Sequence, residues 1–588
     1  MRYRAVMFWM LCLLSEWLGG TSSTEAASPN VVVILTDDQG WGDLSIHGNT
    51  NLRTPRIDSL GREGALFKRF YVCPVCSPTR AEFLTGRYHL RGGVVNVSTG
   101  GERLDLDERT IADAFRGAGY ATGMFGKWHN GIQYPYHPVG RGFEEFYGFC
   151  SGHWGDYFSP PLDHNGQIVQ GEGFMADDLT SHAIDFVKQK KEQPFFCYLA
   201  LNTPHSPMQV PDSYWERFQT LDPPLKATNP RQENLAMTRA ALAMVENIDH
   251  NVGRLLDTLD EHQLRDQTIV LFFCDNGPNS FRWNGGMKGR KGSTDEGGVR
   301  SPLLVRWPGK IPAGKHVESI AGAIDLLPTL ADLAGVALPD NRSLDGVSLR
   351  PLLVDKPPTN WPDRQIFTHW ANKVSVRTQQ YRLDAEGKLF DMNVDPGQTR
   401  DVSADRPEIQ QELAAAVQAW RVECPRPLLD DRPFPVGYRE LPLTQLPARD
   451  GVPRGGVQRS AKAPNCSYFT HWTDTEDAIT WDIDVHTAGS YIVEIQYTCP
   501  AKDVGSEIEL SFGDHRLSGS VREAHDPPTW GAEHDRVPRE GESLVKDFRR
   551  MQLGVISLPA RRGTLQLKAL KIPGSQVMEV RGLLLTLM

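Results

Sequence analysis

The stretch Val31-Val32-Val33-Ile34-Leu35-Thr36-Asp37-Asp38-Gln39 decides how the chain is organised, because five aliphatic residues lead through a single threonine into two carboxylates. An apolar run of that length, with no alternation, reads as a strand buried on both faces, as in a parallel sheet covered by helices. Three further runs have the same form: Tyr120 to Phe125, Pro194 to Leu201 and Thr268 to Phe273. Polar residues follow each of them: Lys127-Trp128-His129, Thr203-Pro204-His205 and Asp275-Asn276. Helical stretches lie between the runs, so an α/β domain is expected. Ligands of such sheets sit beyond the carboxyl ends of the strands, which predicts that the four polar clusters converge although they are far apart in sequence.

Between the first two runs lies Cys76-Ser77-Pro78-Thr79-Arg80-Ala81-Glu82-Phe83-Leu84-Thr85-Gly86-Arg87. On the residues alone, Cys73 and Cys76 form a C-x-x-C spacing that also fits a redox pair or a disulfide. A nucleophile just before a helix would sit where backbone N–H groups and the helix dipole favour an anion, with Arg80 one turn along directed at the same place. The whole segment resembles the signature of the sulfatase family, C-x-P-x-R followed by L-T-G-R, in which the cysteine is oxidised to formylglycine. Thr79 stands where serine is commoner in that family.

Asp37, Asp38, Asp275 and Asn276 offer only hard oxygen ligands, which favour Ca²⁺ or Mg²⁺ over Zn²⁺, with Ca²⁺ the first choice. Consecutive side chains on a regular strand face opposite ways, so Asp37 and Asp38 can share an ion only if the backbone turns there. Taken singly, Asp275-Asn276-Gly277 also reads as a turn and Asp37-Asp38 as a helix cap. The resemblance implies that these four residues are metal ligands, completed by formylglycine at Cys76. Gly126-Lys127-Trp128-His129 resembles the family's G-K-W-H element, with Asn130 where Leu is usual. On an extended strand, residues i and i+2 share a face, so Lys127 and His129 are expected to reach the pocket while Trp128 packs into the core. His205 resembles the family's P-H-x-P loop, and Lys291 the lysine before E-G-G-x-R. Lys288, Arg290 and Arg300 read as a solvated basic loop. Ser151, His153 and Trp154 are placed on the substrate side without a role.

What the resemblance implies is an enzyme, a hydrolase of sulfuric esters with the alkaline-phosphatase-like fold: a mixed α/β sheet sandwiched by helices, then a small α+β subdomain. Hydrated formylglycine would attack sulfur with the help of Ca²⁺. Lys127, Arg80 and the metal would offset charge on the sulfuryl oxygens. His205 with Lys291 would protonate the departing alcohol, and His129 would take a proton from the second hydroxyl to expel sulfate. The implied partners are a sulfated carbohydrate or aryl sulfate as substrate and a formylglycine-generating enzyme during maturation. Two other readings are a phosphodiester or phosphonate hydrolase of the same superfamily, and an inactive secreted glycan-binding protein.

The 588 residues are too many for one core and suggest several domains. Residues 1–27 carry Arg2 and Arg4 before a short apolar run and end in small residues, as an exported protein's signal peptide does. A periplasmic or extracellular location follows as an expectation, with no later segment apolar enough to span a membrane. The catalytic domain is expected over 28–360 and the α+β subdomain over 361–424, with a helix from Pro407 to Trp420. Residues 425–456, rich in Pro and Gly, read as a linker, and 457–588 as an all-β sandwich. Within it Tyr468, Phe469, Trp472 and Trp530 fall in segments that look like loops, where they would either stack on sugars or pack the domain. The net charge of -10 and the lack of a basic run argue against nucleic acid as the main partner. Eight cysteines remain beyond residue 27, too few for a disulfide scaffold in so long a chain.

Overall fold

The structure, a computed structural model, describes residues 28–338, 342–354, 361–425 and 430–588. The expected signal peptide lies outside the described residues. The run at Val31 becomes the strand Asn30–Thr36 at the centre of a ten-stranded mixed sheet. It pairs in parallel with Phe195–Ala200 on one side and Thr268–Cys274 on the other, and Phe195–Ala200 pairs in parallel with Ala121–Lys127. An antiparallel strand, Leu303–Arg306, extends the sheet beyond Thr268–Cys274. All four runs are therefore strands, and they lie side by side.

Both faces of the sheet are covered, which is why the runs show no alternation. Val31, Val33 and Leu35 face a layer that includes the helices Cys76–Thr85 and Leu326–Ala334. Val32 and Ile34 face the layer of Met175–Lys190 and the long helix Leu235–Glu261. The register matches Leu35 with both Ala200 and Phe273, and Gly126 with Ala200, so the strands end almost level. That level edge brings the four polar clusters together. Gly126 is required there: its φ is +122°, and a Cβ would lie 1.9 Å from the Ala200 carbonyl oxygen.

A four-stranded antiparallel sheet follows, running Ile366–Trp370, Lys373–Arg377, Tyr381–Leu383 and Leu389–Asp391. The helix Pro407–Glu423 packs Leu413, Val417 and Trp420 into the cluster beside it. Beyond it are two six-stranded sheets enclosing one core that contains Phe469, Trp472 and Trp481. The segment expected as a linker contributes three strands to these sheets, Phe434–Val436, Leu443–Pro447 and Val452–Arg454. Its prolines are tolerated because all three strands lie at the margins of the sheets. Phe469 and Trp472 are core residues, so neither is available to stack on a sugar. The eight described cysteines are all free. Among the described residues no helix is long and apolar enough to cross a membrane.

The sandwich is fastened to the catalytic domain by buried polar contacts. Arg449, only 1% exposed, pairs with Glu102 and with Asp450 and donates to Ser151 Oγ at 3.2 Å. Gln133 donates to Asp450 at 3.1 Å, and Arg103 to the Pro433 carbonyl at 2.6 Å. Ending the chain after Cys424 would strip Glu102 of its partner and expose the docking face. Loss of one member of a buried pair costs about 3–5 kcal/mol. The truncated protein is therefore expected to lose turnover of small and polymeric esters together, with a lower unfolding midpoint. A truncated form that keeps full activity on nitrophenyl sulfate would show the sandwich to be separable.

Candidate active site

Strand Asn30–Thr36 ends one residue before Asp37, and Asp38 takes a left-handed conformation with φ +67°. This turn is what the ligand reading required, and it lets the two neighbouring carboxylates face one place. Asp38 is held there by a contact that the sequence did not signal: Arg282 donates to its carbonyl at 3.1 Å, and Arg282 itself is anchored on buried Asp43 at 2.7 Å. Asn276 Nδ2 donates to Asp38 Oδ1 at 2.8 Å, and the Asp38 N–H donates to Asp275 Oδ1 at 3.2 Å. The candidate ligand residues are thereby locked to one another.

Cys76 is the first residue of the helix Cys76–Thr85. Its sulfur and atoms of Asp37, Asp38 and His205 all lie within 4.8 Å of one another. Burial pushes the Cys76 thiol up to about 12, against the opposing charges of Lys127 and Lys291. Cys73 instead clusters with Glu82 and His89. The two cysteines of the C-x-x-C spacing are both free and belong to different groups, so no disulfide joins them.

Cations surround the carboxylates. Lys127 Nζ lies 2.6 Å from Asp37 Oδ2, and Lys291 Nζ lies 2.6 Å from Asp38 Oδ1. His205 Nε2 is 3.7 Å from Asp38 Oδ2, with its Nδ1 2.7 Å from the Ser206 carbonyl. Burial alone would raise Asp38, but Lys291 and then His205 outweigh it and hold the carboxyl far below the usual range. Burial and then the neighbouring Asp37 charge raise Asp275 to about 6, against Arg80. His205 is lowered to about 4 by burial and then by Lys291.

Three expectations need correction. Arg80 does not face the open side of the site. Its guanidinium, fully buried, is spent on Asp275 Oδ2 at 2.8 Å and the Lys127 carbonyl at 2.5 Å, so it positions a candidate metal ligand. His129 is not carried on an extended strand, because the strand ends at Lys127 and His129 has φ +68°. Its Nε2 lies 2.8 Å from the Val97 carbonyl, its Nδ1 is buried without a partner, and burial followed by Lys127 lowers its pKa well below the ordinary value. Trp128 does pack into the core, with its indole N–H on the Tyr136 carbonyl at 2.9 Å. Arg300 is not simply solvated either, since it lies 4.7 Å over the Trp41 ring.

Whether this set suits a cation can be judged from its oxygens. Asp37 Oδ1 and Asn276 Oδ1 are buried and have no hydrogen-bond partner, although both side chains are otherwise well held. Orphaned buried acceptors are rare and call for a reason. A bound hard cation would supply one, and an oxygen-rich set of carboxylates and one amide suits Ca²⁺. The residues fit the group.

These features meet their counterparts in known proteins. The family model "Sulfatase" matches residues 29–336, and "N-sulphoglucosamine sulphohydrolase, C-terminal" matches 291–423. The chain belongs to the sulfatase family. This sulfatase is 31% identical to the N-acetylgalactosamine-6-sulfatase of Canis lupus familiaris over 413 residues, 64% of this chain and 75% of that one. It is 34% identical to Homo sapiens arylsulfatase A over 402 residues, 61% and 75% of the respective chains. The crystal structure of Ps i-CgsB in complex with k-i-k-neocarrahexaose superposes with a TM-score of 0.63 at 31% identity, covering 69% of this chain and 95% of that one. The enzyme is accordingly a hydrolase of sulfuric esters on an alkaline-phosphatase-like fold. Its C-terminal sandwich lies beyond the matched residues of both family models.

That sandwich supplies a site residue that sequence inspection missed. Glu542 accepts from Ser206 Oγ at 2.6 Å and lies 3.7 Å from His153 Nδ1, while the His153 ring centroid is 5.6 Å from that of His205. Nothing in the local sequence marks Glu542, because it lies 337 residues beyond His205 in an irregular loop. Glu542→Ala is expected to lower kcat/KM for nitrophenyl sulfate about tenfold, the worth of one charge-assisted hydrogen bond that fixes the His205 loop. Glu542→Gln, which still accepts from Ser206, should retain most activity. Equal rates in all three proteins would remove the sandwich from the active site.

Proposed function

We propose that this sulfatase removes sulfate from a sulfated carbohydrate, or from small aryl sulfates, after a formylglycine-generating enzyme has converted Cys76 to formylglycine, and that it works with Ca²⁺ held by Asp37, Asp38, Asp275 and Asn276. The observation that supports this reading best is that the residue at position 76 opens a helix directly against Asp37 and Asp38, whose surroundings include two buried oxygens with no partner. Formylglycine would contribute a hydrated aldehyde as nucleophile, and Ca²⁺ would supply Lewis-acid activation at that position.

The chain's own residues do the rest. The N-terminal N–H groups of the Cys76–Thr85 helix favour an anionic sulfuryl group beside residue 76. Lys127 and Lys291, each already on a carboxylate of the cluster, add fixed positive charge where negative charge accumulates. His205 stands with Nε2 toward the cluster and is placed to give a proton to the leaving alcohol, with Lys291 beside it. His129, buried with a free Nδ1, would take a proton during release of sulfate. Arg80 keeps Asp275 in position. Export of the protein is part of the same proposal, since a sulfated polymer is met outside the cytoplasm. Comparing purified enzyme on nitrophenyl sulfate and nitrophenyl phosphate, then on a panel of sulfated sugars, tests the reading. Preference for the phosphate ester would replace it with the phosphoester reading.

A further inference from the structure

The sandwich and the catalytic domain enclose two adjoining cavities of about 100 and about 360 Å³, and Trp154, Cys466, Gln496 and Arg581 line both. Arg581, on the strand Glu579–Leu587, lies 5.8 Å over the Trp154 ring and 6.0 Å from the Phe548 ring. No salt bridge or hydrogen bond engages its guanidinium among the described residues. A half-buried guanidinium held between two rings without an acceptor is unusual, because buried charges are ordinarily paired. Burial holds its pKa below the ordinary value, with only the Cys466 thiol acting the other way.

The larger cavity is suited to a sugar carrying negative charge. Tyr468 and Trp530 line it together with Trp154 and Phe548, giving aromatic faces on both domains. Arg550 is exposed at its edge, and Lys546 lies 5.7 Å over the Tyr468 ring while paired with Glu579 at 2.6 Å. Two acids also face it, Asp547 and Asp156, and Asp156 lies 3.5 Å from His534 Nδ1. The wall of the cavity is tied to the His205 side of the active site through His153. Trp154 follows His153, whose ring neighbours His205, and Cys466 Sγ donates to the His153 carbonyl at 3.2 Å.

We propose that this interdomain cavity is a second subsite, in which Arg581 binds the sulfate of a neighbouring sugar residue of the same chain while Trp154 and the facing aromatic rings stack on that sugar. The inference rests on the sulfated-carbohydrate reading above and narrows it: the preferred substrate is an oligosaccharide sulfated on at least two residues. The sandwich then selects the substrate through its junction with the catalytic domain, where Tyr468 and Trp530 lie.

The test reads binding in a protein that cannot turn over. Hexasaccharides of a carrageenan, a chondroitin sulfate and a sulfated fucan are titrated calorimetrically into Cys76→Ala and into Cys76→Ala carrying Arg581→Gln. At least one is expected to bind, and loss of the guanidinium weakens it about tenfold, the worth of one charge-assisted contact. Arg550→Gln, an exposed substitution that leaves the core untouched, is expected to weaken the same ligand about threefold by removing a rim charge. If none of the hexasaccharides binds, or affinity is the same with and without Arg581 and Arg550, the subsite is overturned. Hydrolysis of nitrophenyl sulfate by the unsubstituted enzyme tests the chemistry separately, so a failure there is not a failure of the subsite.

Discussion

Cys76→Ala is expected to lower sulfate-ester turnover by roughly 10⁴- to 10⁶-fold, the scale seen when a covalent nucleophile is removed. The unfolding midpoint should hardly move, because the change takes one sulfur from the first position of a helix and adds no atom. Cys73→Ala is the control. Cys73 sits outside the Asp37–Asp38 group, with Glu82 and His89, so its loss should act mainly on packing and leave most of the activity. Comparable losses in both variants would contradict the separate roles given to the two thiols. Mass spectrometry of the peptide around position 76 supplies the direct check: fully active protein should carry formylglycine there, and an intact thiol in such a sample would end the proposal.

Chelation is expected to have the second largest effect. Dialysis against a chelator should abolish turnover, with Ca²⁺ restoring it and Mg²⁺ restoring it in part, because Mg²⁺ demands a stricter octahedral set. The protein should stay folded without the ion. Lys127, Lys291 and Arg80 already partner Asp37, Asp38 and Asp275 directly, so removal of the ion does not leave three bare carboxylates together. Ca²⁺ at a hundredfold excess over its Kd should nevertheless add about 2.7 kcal/mol of stability by linkage, visible as a higher unfolding midpoint. Metal analysis of active enzyme returning stoichiometric zinc without calcium would show the oxygen-only ligand set to be misassigned.

Much of the catalytic half was legible because its elements have local causes. Short apolar runs with no alternation fit strands covered on both faces, and all four appear as neighbours in the sheet. The sandwich strands were legible for the opposite reason, since their outer faces are less covered and the alternation shows, as in Glu507–Phe512, where exposed or half-buried residues alternate with buried ones. The segment 425–456 was misread because Pro and Gly at the margins of a sheet look like a linker until the partner strands are known. Phe469 and Trp472 were placed in loops because a two-residue strand and a core turn have no periodicity to detect.

The sequence by itself determined which residue types gather at the candidate site, because the candidate nucleophile, the candidate oxygen ligands and Lys127 each end or follow a strand or open a helix within a few residues. It also determined that Asp37 and Asp38 had to leave the strand in order to act together, a consequence of backbone alternation. Only the tertiary structure decided which partners those residues have. Arg80 turns to Asp275, 195 residues away, Arg282 fixes Asp38 from 244 residues away, and Glu542 reaches Ser206 across 336. Contacts over such separations are set by how layers and domains pack, and a packing contact leaves no periodic trace in the chain that makes it. For the same reason the cavity around Arg581 exists only where two domains meet, and neither domain's sequence contains it.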